Sequence, residues 1–156
     1  MKKLLVLFAV SLGMIGFSME NYNVKVLGNA TYNYNGSYNL GAEANVLTKD
    51  NYFSQDMYFK GGVGLNGGFN LKNGLRSGYL GPIVSGIVGK DVYRDVQVYG
   101  GVQAGLPIEG EIKDKKLILS VNPTITVFAG AKYAILTAEV GLGYPGIVTG
   151  KVGVSF

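Results

Sequence analysis

Paired carboxylates are the side chains in this sequence most able to do chemistry. Glu109 and Glu111 are separated by one residue, and Asp91 is followed closely by Asp95. Two carboxyl groups can serve as general acid and base when their surroundings separate their pKa values. On a strand, however, Glu109 and Glu111 share one face, and a solvated rim explains them better than a site. We therefore assign no catalytic residue and, without a formed loop, no metal site.

The composition excludes chemistry that depends on histidine or cysteine. The chain has 156 residues with no His and no Cys, which excludes disulfide frameworks, zinc sites and catalysis by a His base. The segment 62–67 (GVGLNG) fits a dinucleotide-binding glycine spacing. It lies within a run of strand character, and no helix follows it to present its N-terminus to phosphate. We therefore predict no cofactor and no enzyme activity.

The first residues have the organisation of a secretory signal peptide. Lys2 and Lys3 precede the apolar run 4–17, and Ser18 is a small residue of the kind that a signal peptidase reads. The run is shorter than the ~18 apolar residues of a membrane-spanning helix, and no later segment reaches that length. We predict that residues 1–18 are removed and that residues 19–156 form one exported domain. The remaining charges are scattered, which argues against a nucleic-acid partner.

From Tyr22 onward, apolar residues recur at every second position, as in a strand with two different faces. We count eight such runs, of which 96–112 is the longest and 77–89 is ambiguous. Turn-forming residues, such as Asn35-Gly36 and Tyr144-Pro145-Gly146, separate the runs. The pattern predicts an antiparallel meander. If residues 144–146 form the loop of the last hairpin, Glu139 lies opposite Lys151.

An eight-stranded closed meander can place its apolar face inside, as in a soluble barrel, or outside, as in a membrane barrel. Strand length favours the membrane barrel, because most runs exceed the ~5–6 residues of soluble strands. The 11 Tyr residues fall mostly near the ends of runs, where membrane proteins place aromatic belts. The polar face then encloses the lumen. We predict that it is lined by Lys25, Glu43, Lys60, Asn66, Gln97, Gln103, Asn122, Glu139 and Lys151.

The chain ends on Phe156, preceded at alternating positions by Val154 and Val152. Together with the signal peptide and the eight alternating runs, this ending resembles the small bacterial outer-membrane β-barrel family, the OmpA/OmpX-like and opacity-like barrels. The resemblance implies an all-β, eight-stranded antiparallel up-and-down transmembrane β-barrel in the bacterial cell outer membrane. It also implies a monomer surrounded by outer-membrane lipid. Val152, Val154 and Phe156 would be read by the barrel-assembly machinery.

Three functions remain open on this architecture. The first is a non-enzymatic barrel with a structural or surface-interaction role, whose exposed hairpin would display charged residues to an extracellular partner. Its members are Glu109, Glu111, Lys113, Asp114, Lys115 and Lys116. The second is a narrow outer-membrane pore for small solutes, with glycines such as Gly62, Gly64 and Gly68 leaving room for water. The third is a soluble barrel that binds an apolar ligand.

Overall fold

The computed structural model describes residues 22–72, 75–113 and 116–156, and these residues form one continuous antiparallel sheet. The signal segment 1–18 lies outside the described residues. Within the described part of the chain, no helix is long and apolar enough to cross a membrane. The strands are β1 (Tyr22–Asn33), β2 (Tyr38–Thr48), β3 (Asn51–Tyr52), β4 (Met57–Lys72), β5 (Leu75–Tyr93), β6 (Val96–Gly105), β7 (Ile108–Lys113), β8 (Lys116–Val121), β9 (Thr124–Tyr133), β10 (Leu136–Tyr144) and β11 (Gly146–Ser155).

Eight of the strands close into a barrel. In sheet order they are β4, β2, β1, β11, β10, β9, β6 and β5, and the pairing of β4 with β5 completes the ring. Short connections make each strand antiparallel to its neighbour, and the first strand pairs with the last. The short β3 adds to the edge of β4, while β7 and β8 form a hairpin attached to β5. The predicted eight-stranded up-and-down topology is confirmed.

The barrel has two distinct ends and strongly tilted strands. We call the end where β1 begins and β11 finishes the terminal end, and the opposite one, from which β7 and β8 extend, the hairpin end. Each residue can be followed to its cross-strand partner on the next strand. A full circuit of the barrel that starts at Tyr22 of β1 passes Val148 of β11 and returns to β1 at Tyr32. The sheet therefore closes with a stagger of about ten residues, which tilts eight strands by roughly 40°.

The faces of the barrel are arranged as in a membrane protein. Along β10, Leu136 and Val140 are 60% and 57% exposed, whereas Thr137 and Glu139 between them are 5% and 6% exposed. The same alternation runs through the other barrel strands. Because a protein in water hides its apolar face, this arrangement excludes the soluble barrel with a dry interior.

The register of the last hairpin agrees with its sequence. Glu139 is the cross-strand partner of Lys151, and Ala138 is the partner of Val152. This confirms the register predicted from the loop at residues 144–146. A one-residue slip would have turned the valines of β11 into the lumen and its lysine toward the outside.

Three boundaries differ from the sequence prediction. The predicted strand 96–112 is interrupted at Pro107, and the alternating run 119–129, which Pro123 was expected to weaken, is divided there into two strands. Proline has no N–H to donate to a ladder, so each strand stops and restarts on its far side. Lys90 and Asp91 have the character of turn residues in the sequence, but they are part of β5, which continues to Tyr93 and turns at Arg94 and Asp95.

Glycines on the two faces of the sheet should differ sharply in their tolerance of a side chain. A Cβ on the inward-facing Gly64 would overlap the backbone oxygen of Ala44, whereas a Cβ on the outward-facing Gly86 would meet no atom within 4 Å. We expect Gly64→Ala to lower the free energy of unfolding by about 1–3 kcal/mol. Gly86→Ala should be neutral or slightly stabilising. Urea unfolding of both variants in lipid vesicles tests this, and equal effects would contradict it.

Candidate functional site

The centre of the lumen is crossed by a layer of buried, oppositely charged side chains. Lys25 Nζ lies 2.6 Å from Glu139 Oε1, and Lys151 Nζ lies 2.9 Å from Glu43 Oε2. Glu139 also lies 3.8 Å from Lys151, beyond hydrogen-bond reach but close enough to couple the two pairs. All four side chains are at least nine-tenths buried. We call Lys25, Glu43, Glu139 and Lys151 the charged layer.

Neutral side chains add hydrogen bonds to this layer, although Glu139 Oε2 has no hydrogen-bond partner in the described part of the chain. Gln103 donates to Glu43 Oε2 at 3.1 Å and accepts a hydrogen bond from Lys151. Asn45 donates to the other oxygen of Glu43 at 3.1 Å. The hydroxyl of Tyr99 donates to Glu139 at 2.9 Å. Buried charges persist only when they are paired and hydrogen-bonded in this way, so the layer is a fixed part of the interior.

An apolar cluster blocks the lumen beside the charged layer. Phe128 packs with Leu47 and Ile87, and Tyr99 lies against them. The Phe128 ring has Lys25 Nζ at 5.3 Å and Lys151 Nζ at 5.5 Å from its centroid. Cations at this distance from a ring are attracted by its face. The layer and the cluster therefore pack against each other inside the barrel.

The pore hypothesis assumed open space beside the inward-facing glycines, but two of them have neighbouring atoms in that space. The space that a Cβ of Gly62 would need is occupied by the Leu47 side chain, and that of Gly68 by backbone of the neighbouring strand. Side chains and backbone pack into these positions because glycine permits close approach.

The terminal end of the lumen holds a second set of polar contacts. Lys60 Nζ lies 2.5 Å from Asp50 and 4.7 Å from the centroid of the Tyr58 ring. Gln97 donates to Asp91 at 2.8 Å. Tyr52, at the rim, also donates to Asp91, and this carboxylate raises the pKa of the Tyr52 phenol above its ordinary value. The phenol therefore stays protonated and keeps donating.

A polar cavity of about 280 Å³ occupies the lumen between the charged layer and the hairpin end. We call it the vestibule. Its floor is formed by Glu43, Gln103 and Lys151, and the exposed Asn35 and Pro123 lie at its mouth. Amides and hydroxyls dominate its wall, which includes Asn29, Asn33, Asn39, Asn66, Asn70, Asn122, Thr31, Thr126 and Thr149.

Glu109 lies in the wall of the vestibule, not on the outer surface where the sequence suggested it. Its carboxylate accepts hydrogen bonds from Asn70 at 3.3 Å, from Asn122 at 2.8 Å and from the Ser77 hydroxyl. Glu109 continues the inward alternation of Gln103 and Gly105, and its neighbour Ile108 is exposed on the outside. The prediction that Glu109 is displayed to a partner is therefore corrected.

The β7–β8 hairpin continues past the mouth of the vestibule and presents apolar side chains to the outside. Leu117, Leu119 and Val121 are exposed on one face, and Ile118 is exposed on the other. Glu111 is half-buried opposite Ile118. Among the charged residues predicted for this hairpin, Lys116 is exposed and pairs with Lys113 in the register, while Asp114 and Lys115 lie outside the described residues.

The predicted lumen residues separate into three groups. Glu43, Gln103, Glu139, Lys25 and Lys151 meet at the charged layer, while the other four are divided between the two ends. Asn66 and Asn122 line the vestibule, and Lys60 and Gln97 lie at the terminal end. In the part of the chain that the structure describes, no three His, Cys, Asp or Glu side chains converge as a metal site would require.

Sequence reasoning did not single out several residues of the interior. Phe128 alternates with Val127 and Ala129, so its position on the polar face was readable from strand period alone. Asn33, Asn39 and Asn70 share that face too. An apolar residue on the polar face of a strand therefore indicates a side chain that packs inside the lumen.

A closed antiparallel barrel with a polar, hydrogen-bonded interior and an apolar exterior has the architecture of an eight-stranded transmembrane β-barrel. Comparison with solved structures finds a similar chain in Ail, the attachment invasion locus protein of Yersinia pestis. The alignment has a TM-score of 0.57 at 11% sequence identity and covers 87% of this chain and 97% of that chain. At this identity the likeness concerns the fold. No protein-family model and no curated protein matches the sequence.

Proposed function

We propose that the chain is exported, loses residues 1–18 and spans the bacterial outer membrane as a monomeric, non-enzymatic barrel with a surface-interaction role. The observation that carries this proposal is the exposed apolar face on a closed sheet whose charges are buried inside. An exterior of this kind is stable in lipid and aggregates in water. Val152, Val154 and Phe156 lie on or beside the closing strand β11, where the assembly machinery would read them.

Two belts of exposed aromatic residues support the membrane placement. Tyr32, Tyr34, Tyr38 and Tyr144 cluster at the hairpin end, with Tyr32 and Tyr38 in contact at 5.1 Å between ring centroids. Tyr22, Tyr133 and Phe156 lie on the outside at the terminal end. From Tyr22 to Tyr32, about ten residues at ~3.3 Å each and a tilt near 40° rise about 25 Å. This separation matches the height of the apolar band of outer-membrane barrels.

The closed lumen favours a structural or surface-interaction role over the alternative, a narrow pore. The vestibule ends at the charged layer, and the cluster around Phe128 fills the lumen beside it. A solute would have to separate the buried ion pairs to pass. We expect the purified protein to show no conductance steps in a planar bilayer at moderate voltage, and steady single-channel steps would favour the pore.

The β7–β8 hairpin is the element best placed to meet a partner. Outer-membrane barrels carry their longer loops on the extracellular side, which places the hairpin end outside. Its apolar side chains are exposed, and β8 is the last strand of the sheet order, so one edge of it is open. Apolar groups on an unpaired edge are typical of a surface that binds another protein. The similar fold of Ail, a protein named for attachment and invasion, supports the same role.

Shortening this hairpin tests the surface role. Glu109 and Ser120 are cross-strand partners, so an Asn-Gly turn can replace residues 110–119 without changing the register or removing Glu109 from the vestibule. We expect the shortened protein to insert normally and to lose at least tenfold in the attachment of bacteria that carry it to a cell monolayer. Leu117→Ser with Leu119→Ser should show the same loss, whereas Ile118→Ser on the opposite face serves as the control. Unchanged attachment would show that the hairpin does not bind the partner.

Migration on an unboiled detergent gel tests the barrel itself. A closed hydrogen-bonded sheet resists detergent until it is heated, so we expect a compact band that shifts on boiling. Fractionation should place this band in the outer membrane. A protein that stays in the soluble fraction without a heat-sensitive band would overturn the proposal.

A further inference from the structure

Glu109 differs from the carboxylates of the charged layer in the charge of its partners. Its Oε1 accepts hydrogen bonds from Asn70 and Ser77, and its Oε2 accepts one from Asn122. All three donors are neutral, whereas the two glutamates of the charged layer each form an ion pair with a lysine. Among the side chains that the structure describes, no lysine or arginine forms an ion pair with Glu109. The three donors therefore fix the position of this carboxylate without balancing its charge.

The vestibule consequently carries a net negative charge. The charged residues of its lining are Glu43, Glu109 and Lys151. Lys151 is paired with Glu43, and the other two members of the charged layer are paired with each other, so the layer is neutral as a whole. The charge of Glu109 remains. Inside a barrel it is screened by water less than on an open surface, so the vestibule attracts cations and repels anions.

The remaining hydrogen-bonding capacity of Glu109 distinguishes between kinds of cation. A carboxylate has about four acceptor positions, and Asn70, Ser77 and Asn122 use three of them. The fourth, on Oε2, suits one N–H of an ammonium group. A guanidinium binds a carboxylate through two parallel hydrogen bonds and would have to displace a donor. A divalent metal ion needs more charged oxygen ligands than the described part of the chain brings together.

The rest of the lining suits a short carbon chain attached to the ammonium group. Ile83 and Pro107 contribute apolar surface, and Tyr79 contributes an aromatic ring of the kind that attracts cations. The hydroxyls of Thr124 and Thr126 line the same cavity and are only partly buried, so they can accept further N–H groups. At about 280 Å³ the vestibule lies just below the size range of pockets for drug-sized ligands, so it has room for a small amine or for one side chain.

We infer that the vestibule binds a primary ammonium group, carried by a short alkylamine or by a lysine side chain of a polypeptide, with the Glu109 carboxylate as its counter-ion. The site is separate from the outer face of the β7–β8 hairpin. The inference rests on the proposed function only in placing the hairpin end in contact with the external solution.

Saturation-transfer NMR on the full mature chain, refolded in an uncharged detergent, tests the inference. The probe is n-butylammonium, and 1-butanol is the neutral comparison with the same carbon chain. We expect saturation transfer to butylammonium above the background of protein-free micelles. Binding of 1-butanol should be at least about tenfold weaker, because it lacks the charged hydrogen bond. This comparison needs no variant of the protein.

Two variants isolate the charge of Glu109. Glu109→Gln keeps the shape of the side chain, and we expect it to bind butylammonium about ten- to a hundredfold more weakly, the loss expected for one hydrogen bond to a charged group. Asp95→Asn is the matched control, since it makes the same change in net charge at an exposed position of the terminal end. It should leave the binding unchanged.

Each outcome decides one question. No transfer to butylammonium, from a protein that still gives a heat-sensitive gel band, would overturn the inference and leave the proposed function intact. Absence of the gel band would instead count against the proposed function. Equal binding by Glu109→Gln and Asp95→Asn, or equal binding of butylammonium and 1-butanol, would also overturn the inference. With binding established, an N-acetylated peptide that contains one lysine identifies the source: tighter binding than butylammonium indicates a polypeptide, and equal or weaker binding a free amine.

Discussion

Replacing Glu139 by alanine is expected to lower the free energy of unfolding of the barrel by about 3–5 kcal/mol. Glu139 lies 2.6 Å from Lys25 and accepts a hydrogen bond from Tyr99, so its removal leaves the Lys25 ammonium buried without its carboxylate. A buried cation without a counter-charge costs far more than an exposed ion pair contributes. Urea unfolding of the refolded protein in lipid vesicles measures the difference.

Two further variants separate the loss of a charge from the loss of packing. The double variant Lys25→Met with Glu139→Leu removes both charges and keeps the volume, and we expect it to recover at least half of the lost stability. Asp95→Ala removes an exposed carboxylate and should change stability by less than about 0.5 kcal/mol. If Glu139→Ala costs less than about 1 kcal/mol, water reaches the charged layer and the closed lumen is wrong.

Placing a charge on the outer face should destabilise the barrel according to its depth in the membrane. Val140 lies near the middle of β10 and Leu136 begins that strand, and both face outward with similar exposure. Val140→Arg should cost about 2–4 kcal/mol, because the guanidinium would lie near the centre of the bilayer. Leu136→Arg should cost only about 0–1 kcal/mol, because it reaches the headgroups.

The comparison of these two variants tests the membrane placement directly. On a protein surrounded by water, both arginines would be exposed side chains on a strand and would have nearly equal, small effects. Unfolding is measured in vesicles for both variants, so that lipid and denaturant are identical. Equal stability of the two would contradict the proposed position of the aromatic belts.

The architecture was predictable because each of its determinants is local in the sequence. The alternation of Val24, Lys25 and Val26 shows which side chains share a face, and the loop at residues 144–146 sets the register of Glu139 against Lys151. The meander follows from short connections between long strands, and these features need no knowledge of distant contacts. Closure of the ring adds one long-range pairing, that of β1 with β11.

The interior was less predictable, because its contacts join residues far apart in the chain. Alternation places Lys25 and Lys151 inside, but it does not show that Lys25 meets Glu139 whereas Lys151 meets Glu43. That choice depends on the stagger of the closed sheet and on the bulk of Phe128 between the two lysines. Alternation from Gln103 likewise places Glu109 on the inward face, but it does not show that Asn70, Ser77 and Asn122 donate to its carboxylate.

The pairing of β1 with β11 has a consequence for the order of events in folding. The ladder joins Lys25 to Ser155 and Tyr32 to Val148, so it links the two most distant parts of the described sequence. Contacts across such a separation form slowly, since the whole intervening chain must first be brought together. Until then β1 has an open edge that could capture another chain. On the proposed route, an exported chain therefore needs protection until β11 is available to pair with β1.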